Sequence, residues 1–96
     1  MLGKRIRELR EANSLSQVSL ASKLGVSKQS ISNWENGNIL PSIDMLIRIA
    51  EIFSVSTDYL LGRDEKHYLK VDGLTPEKLA FIQRMITYLQ EPPKRK

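Results

Sequence analysis

Residues 17–34, QVSLASKLGVSKQSISNW, constrain the fold of this chain more than any other stretch. Leu20, Leu24, Val26, Ile31 and Trp34 are spaced as two short helices need if they cross steeply and bury one apolar seam between them. Ala21 falls where the first helix would pass closest to the second, and a larger side chain there would push them apart. Gly25 follows the last periodic apolar residue of the first helix, where a left-handed C-cap needs a residue without a Cβ. Ser27 then offers its hydroxyl as the cap of the next helix. The spacing predicts helices over 17–24 and 28–35 with a tight turn between them, the second polar on its outer face.

The remainder reads as further helices with local contacts. Leu2, Ile6 and Leu9 form one stripe of a helix over 2–12, whose arginines are expected to point outward. Asn13-Ser14 breaks it, and Leu15 packs before the Ser16 cap. Asn36-Gly37-Asn38 is a dense turn signal. Pro41 and the Ser42 cap open a fourth helix, with Leu46, Ile47, Ile49, Ala50 and Phe53 expected to supply most of its buried face. Ser56 caps a short fifth helix over 57–61 that ends at Gly62. Residues 63–74 are largely charged, lack a period and read as a linker. Thr75-Pro76 is a second helix opening, a capping hydroxyl followed by proline at the first helical position. The sixth helix runs to about residue 90, before Pro92-Pro93. The tail 92–96, PPKRK, is basic and expected to be disordered. No segment alternates as a strand does, so the class is all-α.

Charge separates the two halves of the first 62 residues. Residues 4–34 carry six basic against two acidic side chains, and residues 35–62 carry one against four. The basic half holds the paired helices, so it is the half suited to facing phosphates. The chain has no cysteine, which excludes a disulfide framework or a cysteine zinc site and fits a reducing cytoplasm. No apolar run approaches the ~20 residues of a membrane span. One histidine in the linker, His67, has no partner spacing for a metal, and no glycine-rich phosphate loop is present. No catalytic set can be assembled, and no cofactor is expected. Glu8 and Glu11 lie among arginines on one helix, where ion pairing explains them.

The paired helices form a helix-turn-helix, and with ENGNILPSIDMLIRIAEIFSVSTDYLLG after them they resemble a known family. It is the lambda-repressor-like, Cro/C1-type (XRE) helix-turn-helix domain of phage repressors and bacterial regulators. The resemblance covers roughly residues 2–62 and rests on LSQVSLASKLGVS, SISNWENG, P-S-x-x-x-L and V-S-x-D-Y-L-L-G occurring together. It implies a five-helix DNA-binding domain over 1–62, with a C-terminal amphipathic helix outside the family core.

A recognition helix meets base edges with its N-terminal residues, which here are Ser27, Lys28, Gln29, Ser32 and Asn33. Glutamine and asparagine can pair bidentately with adenine, lysine can donate to guanine, and serine can do either. In the resembled family the positions of Lys28, Gln29 and Asn33 commonly contact bases. Gln17 opens its helix where the side chain and helix N-terminus can meet a phosphate; in the family a glutamine there touches the backbone and braces the recognition residues. Asn36 and Asn38 fall in the loop that the family uses for backbone contacts, although Ile39-Leu40 stands where that loop often carries a basic residue. The positions of Arg10 and Glu35 form a partly buried ion pair in the family. Trp34 completes the apolar spacing and reads as core.

These expectations point to a sequence-specific regulator of transcription, a homodimeric repressor on double-stranded DNA with an inverted-repeat operator. The alternative is a protein-neutralising partner that also binds DNA, such as the antitoxin of a toxin–antitoxin pair, whose sixth helix grips an antagonist protein. Both depend on the helix over 75–91. Leu79, Ile82, Ile86 and Leu89 recur at the seam spacing of packed helices, with Met85 beside them, and this helix is expected to build the dimer. Phe81 and Tyr88 widen its apolar surface, and Leu74 precedes the Thr75 cap as a staple residue does.

Overall fold

The computed structural model describes residues 2–64 and 69–91; His67 and the basic tail 92–96 lie outside the described residues. Among the described residues six helices follow one another: α1 (Leu2–Ala12), α2 (Gln17–Leu24), α3 (Lys28–Glu35), α4 (Ile43–Phe53), α5 (Thr57–Leu60) and α6 (Pro76–Gln90). No strand occurs among the described residues. Five of the helices begin at a hydroxyl cap. Ser16, Ser27, Ser42, Ser56 and Thr75 are in extended backbone conformation, and each accepts from the N–H three residues on. Each such bond satisfies a donor that the first helical turn leaves without an internal partner.

The core is the meeting place of α1 to α5. Ile6, Leu20, Leu24, Ile31, Ile49 and Leu60 are fully buried, with Ala21, Trp34, Phe53, Val55 and Tyr59 closing around them. Helix α3 packs on both α1 and α2, while α4 packs on α2 and α5. Losing any one of the fully buried aliphatic side chains would cost about 2–5 kcal/mol, a large share of the ~5–15 kcal/mol by which domains are stable. Along α4 the inward stripe is Leu46, Ile49, Ala50 and Phe53, with Met45 and Ile52 half-buried at its edges. Ile47 departs from expectation and is 44% exposed. It stands one residue, or about 100° of helix rotation, from Leu46 and so faces away from the stripe.

A left-handed turn at Gly25 and a close approach at Gly3 shape how the helices meet. Gly25 adopts φ 71°, and its N–H and that of Val26 bond the carbonyls of Ser22 and Ala21, which ends α2 and turns the chain sharply into α3. Gly3, near the start of α1, lies against the end of α3. A Cβ there would sit 2.5 Å from the carbonyl oxygens of both Trp34 and Glu35, so only glycine lets the two backbones meet. At the end of α4, Ser54 performs the left-handed turn with φ 55°. Its carbonyl also accepts from the Lys70 N–H, which fastens that part of the linker to the domain.

Helix α5 ends at Leu60, one residue short of expectation, because Leu61 takes the cap position and the chain turns at Gly62 with φ 75°. Helix α6 is different from the rest. None of its residues is buried, and none belongs to the core or to the side chains packed against it. Phe81, Met85, Ile86, Tyr88 and Leu89 are all exposed, and Leu79 and Ile82 are half-buried.

Candidate nucleic-acid interface

The outer face of α3 carries the polar side chains that the sequence singles out. Ser27 caps the helix, its Oγ accepting from the Ser30 N–H at 3.1 Å, and Lys28 and Gln29 follow it in the exposed first turn. Ser32 and Asn33 lie one turn further on and are half-buried. Gln29 and Asn33 meet on that face, the Gln29 Nε2 donating to Asn33 Oδ1 at 3.1 Å. This i, i+4 contact restricts both amides while leaving hydrogen-bonding capacity on each for a base edge. Asn36 follows the helix as its cap and Asn38 lies two residues on, both exposed. The Asn38 N–H bonds the Asn33 carbonyl, which folds the loop back onto α3.

Beneath this face lies a buried carboxylate. Glu35, at the end of α3, is 7% exposed, yet it accepts from three residues of two other helices. Arg10 holds it with Nε to Oε2 at 2.6 Å and Nη2 to Oε1 at 3.1 Å, while Arg10 Nη1 donates to the Leu15 carbonyl at 2.9 Å. Gln17 Nε2 donates to Oε1 at 3.1 Å, and Arg7 Nε to the same oxygen at 3.3 Å. Burial by itself would raise the Glu35 pKa. The hydrogen bonds from Arg10 and Gln17, the positive charge of Arg10 and the bond from Arg7 outweigh it, so the carboxyl lies below its ordinary value. The hydrogen bond to Glu35 raises the Arg10 pKa in turn, against its own desolvation. The cluster joins α1 and α2 to α3 and so fixes how α3 is presented.

This arrangement corrects one expectation. The arginines of α1 do not simply point outward. Arg10 turns in, with 11% of its side chain exposed. Arg5 lies over the Tyr59 ring at 4.2 Å and donates to the Tyr59 carbonyl at 2.7 Å, a cation–π contact that ties α1 to α5. Gln17 donates its amide to the Glu35 carboxylate, while Gln29 is engaged with Asn33. Arg7 and Arg48 are members of the scaffold that sequence reading did not single out. Arg48 of α4 donates to the carbonyls of Leu24 and Lys23, bonding the C-terminal end of α2. That end carries partial negative charge, so a guanidinium is well placed there. Nothing in residue spacing signals either contact, since both join residues more than twenty positions apart.

A short helix held polar face outward, joined by a tight glycine turn to the helix that precedes and packs on it, defines a helix-turn-helix module. Residues 6–60 match the Helix-turn-helix family, and the chain belongs to it. The HTH-type transcriptional regulator ImmR of Bacillus subtilis is 41% identical over 64 residues, 67% of this chain and 50% of that protein. The transcriptional regulator SinR of the same organism is 39% identical over 76% of this chain and 65% of its own length. The chain thus spans about half to two thirds of these two relatives. The P22 c2 repressor protein, in complex with a synthetic operator, has the same fold with a TM-score of 0.63 and 34% identity, over 67% of this chain and 97% of that one. The SinR–SinI complex matches over 92% of this chain and 81% of that chain, with a TM-score of 0.62 and 31% identity.

Proposed function

We propose that this chain is a sequence-specific DNA-binding regulator of transcription, acting as a repressor by occupying promoter DNA in the cytoplasm. The observation that carries the reading is the α3 face, where Lys28, Gln29 and Asn33 stand exposed or half-buried on a helix braced through Glu35 by two others. Ser27, Lys28, Gln29, Ser32 and Asn33 would meet base edges in the major groove, and Gln17, Asn36 and Asn38 the phosphate backbone. The P22 c2 repressor, a protein of the same fold in complex with a synthetic operator, supports DNA binding by this fold.

The unit on DNA would be a homodimer joined through α6, with Leu79, Ile82, Met85, Ile86 and Leu89 as the seam. An exposed apolar helix that takes no part in its own domain's core supports this reading. Two-fold symmetry then calls for an inverted-repeat operator, with half-sites about one helical turn, roughly 34 Å, apart. The second reading keeps the same DNA surface and gives α6 to a foreign protein. It is favoured by the relative named Antitoxin PezA of Streptococcus pneumoniae, 35% identical over 68% of this chain and 41% of that protein.

Selection of bound sequences from random duplex DNA tests the function. A symmetric site should emerge, and Lys28→Ala and Gln29→Ala should each lose discrimination worth about 1–3 kcal/mol while the fold persists. Equal losses on selected and random DNA would turn these residues into phosphate contacts, and failure to enrich any sequence would remove the reading altogether.

A further inference from the structure

We infer that Arg7 of α1 is a phosphate-binding residue of the DNA interface, forming with Asn36 one seat for a backbone phosphate on each protomer. The inference rests on the DNA-binding reading above and adds to it a contact from outside the helix-turn-helix.

Three arginines of α1 point toward neighbouring helices, and Arg7 is the one whose side chain stands exposed. Arg10 spends Nε, Nη1 and Nη2 on Glu35 and Leu15 and is almost covered. Arg5 is stacked on Tyr59 and bonded to its carbonyl. Arg7 is 48% exposed and is held along one edge: Nε bonds Glu35 Oε1 at 3.3 Å, and Nη2 bonds Asn36 Oδ1 at 3.2 Å. The opposite edge remains open. Arg7 Nη1 makes no hydrogen bond among the described residues, and Nη2 keeps its second N–H. Those two nitrogens form the end-on fork that matches a phosphate bidentately.

Charge points the same way. Glu35 can neutralise one arginine, and the short two-point contact with Arg10 makes Arg10 that partner. The positive charge of Arg7 is therefore in surplus, in an orientation already fixed before any ligand arrives. Its second anchor, Asn36, is the first residue after α3. Asn36 Oδ1 is occupied by Arg7 and its Nδ2 donates to Ser32 Oγ at 3.3 Å, which leaves one amide N–H beside the Arg7 fork. A cation and an amide donor set side by side at the end of the base-reading helix suit a phosphate, and their mutual bonds lower the cost of ordering them. A purely structural Arg7 would brace Glu35 and no more.

The salt dependence of binding separates the two. The full chain is titrated with a selected duplex and with a scrambled one across a range of NaCl concentrations. Each phosphate contact contributes about 0.9 to the slope of log affinity against log salt. Removing the contact should therefore flatten the slope by about 1 per protomer, about 2 for a dimer, and weaken binding roughly eight-fold per protomer at about 0.1 M salt, equally on both duplexes. Arg7→Gln removes the charge while keeping amide donors for Glu35 and Asn36, and should show this flattening. Arg7→Lys keeps the charge and should retain the wild-type slope with weaker binding. A wild-type slope in Arg7→Gln, whatever its affinity, would overturn the inference while leaving DNA binding intact. So would a loss confined to the selected duplex. Failure of the wild-type chain to bind either duplex would instead bring down the DNA-binding reading and this inference with it.

Discussion

Glu35→Gln should be among the most damaging single-atom changes available in this domain. The substitution keeps the shape of the side chain and one carbonyl acceptor, and removes the negative charge. Arg10, with 11% of its side chain exposed, then holds a positive charge with no carboxylate bonded to it, only the Leu15 carbonyl and a neutral amide oxygen, and Glu11 acting at a distance. Breaking one partner of a buried pair costs about 3–5 kcal/mol. The low end applies here, about 3 kcal/mol, because those two acceptors remain and Arg7 is half-solvated. In a domain of this size 1 kcal/mol moves Tm by about 4–8 °C, so a fall of roughly 12–24 °C is expected. Thermal unfolding followed by circular dichroism at neutral pH measures it. Arg7→Ala, which removes only an exposed member of the cluster, should cost no more than about 1 kcal/mol in the same assay. The double change Arg10→Met with Glu35→Met should recover much of the single-mutant loss, since neither charge is then stranded. A Glu35→Gln loss below about 1 kcal/mol would place the pair with ordinary surface salt bridges and refute the reasoning.

Three further outcomes follow from other parts of the molecule. Gly3→Ala should destabilise by about 1–3 kcal/mol, because its Cβ must force α1 from the carbonyls of α3; an unchanged urea midpoint would contradict that close approach. Glu35 has a lowered folded-state pKa, so its stabilisation is full above the unfolded carboxylate value near about 4.3 and is lost as pH falls through the lower folded value. The Tm gap between wild type and Glu35→Gln should therefore hold steady from pH 7 to about 5 and narrow only under acid; a gap that grows on acidification would reverse the assigned sign. A fragment ending at Gly62 should fold, sediment as a monomer and bind the operator weakly, since two half-sites are no longer held together; a dimer as tight as the full chain would move the interface to α1–α5.

Local chemistry was legible in the sequence, and long-range chemistry only where the family resemblance implied it, as for Arg10 and Glu35. The hydroxyl caps, the Gly25 turn and the apolar spacing of α2 and α3 depend on residues within a few positions of one another, so the sequence alone predicts them closely. Ile47 was misplaced because an apolar residue beside a stripe looks like part of it until a neighbouring helix defines the stripe's edge. Arg5 and Arg7 look alike along α1, and their fates differ only because Tyr59 and Asn36 come from elsewhere in the fold. The same holds for Gly3, which nothing local requires to be glycine. On α3 the exposed residues were identifiable from their positions, whereas the Gln29–Asn33 contact and the hold of Gln17 on Glu35 depend on side-chain choices among several polar partners.

The hydroxyl caps have a consequence for how far this domain can be stabilised. Aspartate caps a helix about as well as serine and adds a favourable interaction with the positive end of the helix dipole. The chain uses that charge selectively: α4, α5 and α6 carry Asp44, Asp58 and Glu77 in their first turns, while α1, α2 and α3 carry no acid there. At Ser16 and Ser27 a carboxylate would strengthen the helix and at the same time stand against the phosphates of a bound duplex. On the DNA-binding reading proposed above, the neutral caps of α2 and α3 mark positions where thermal stability and DNA affinity would pull in opposite directions. Ser27→Asp is the substitution by which one could be raised at the direct expense of the other.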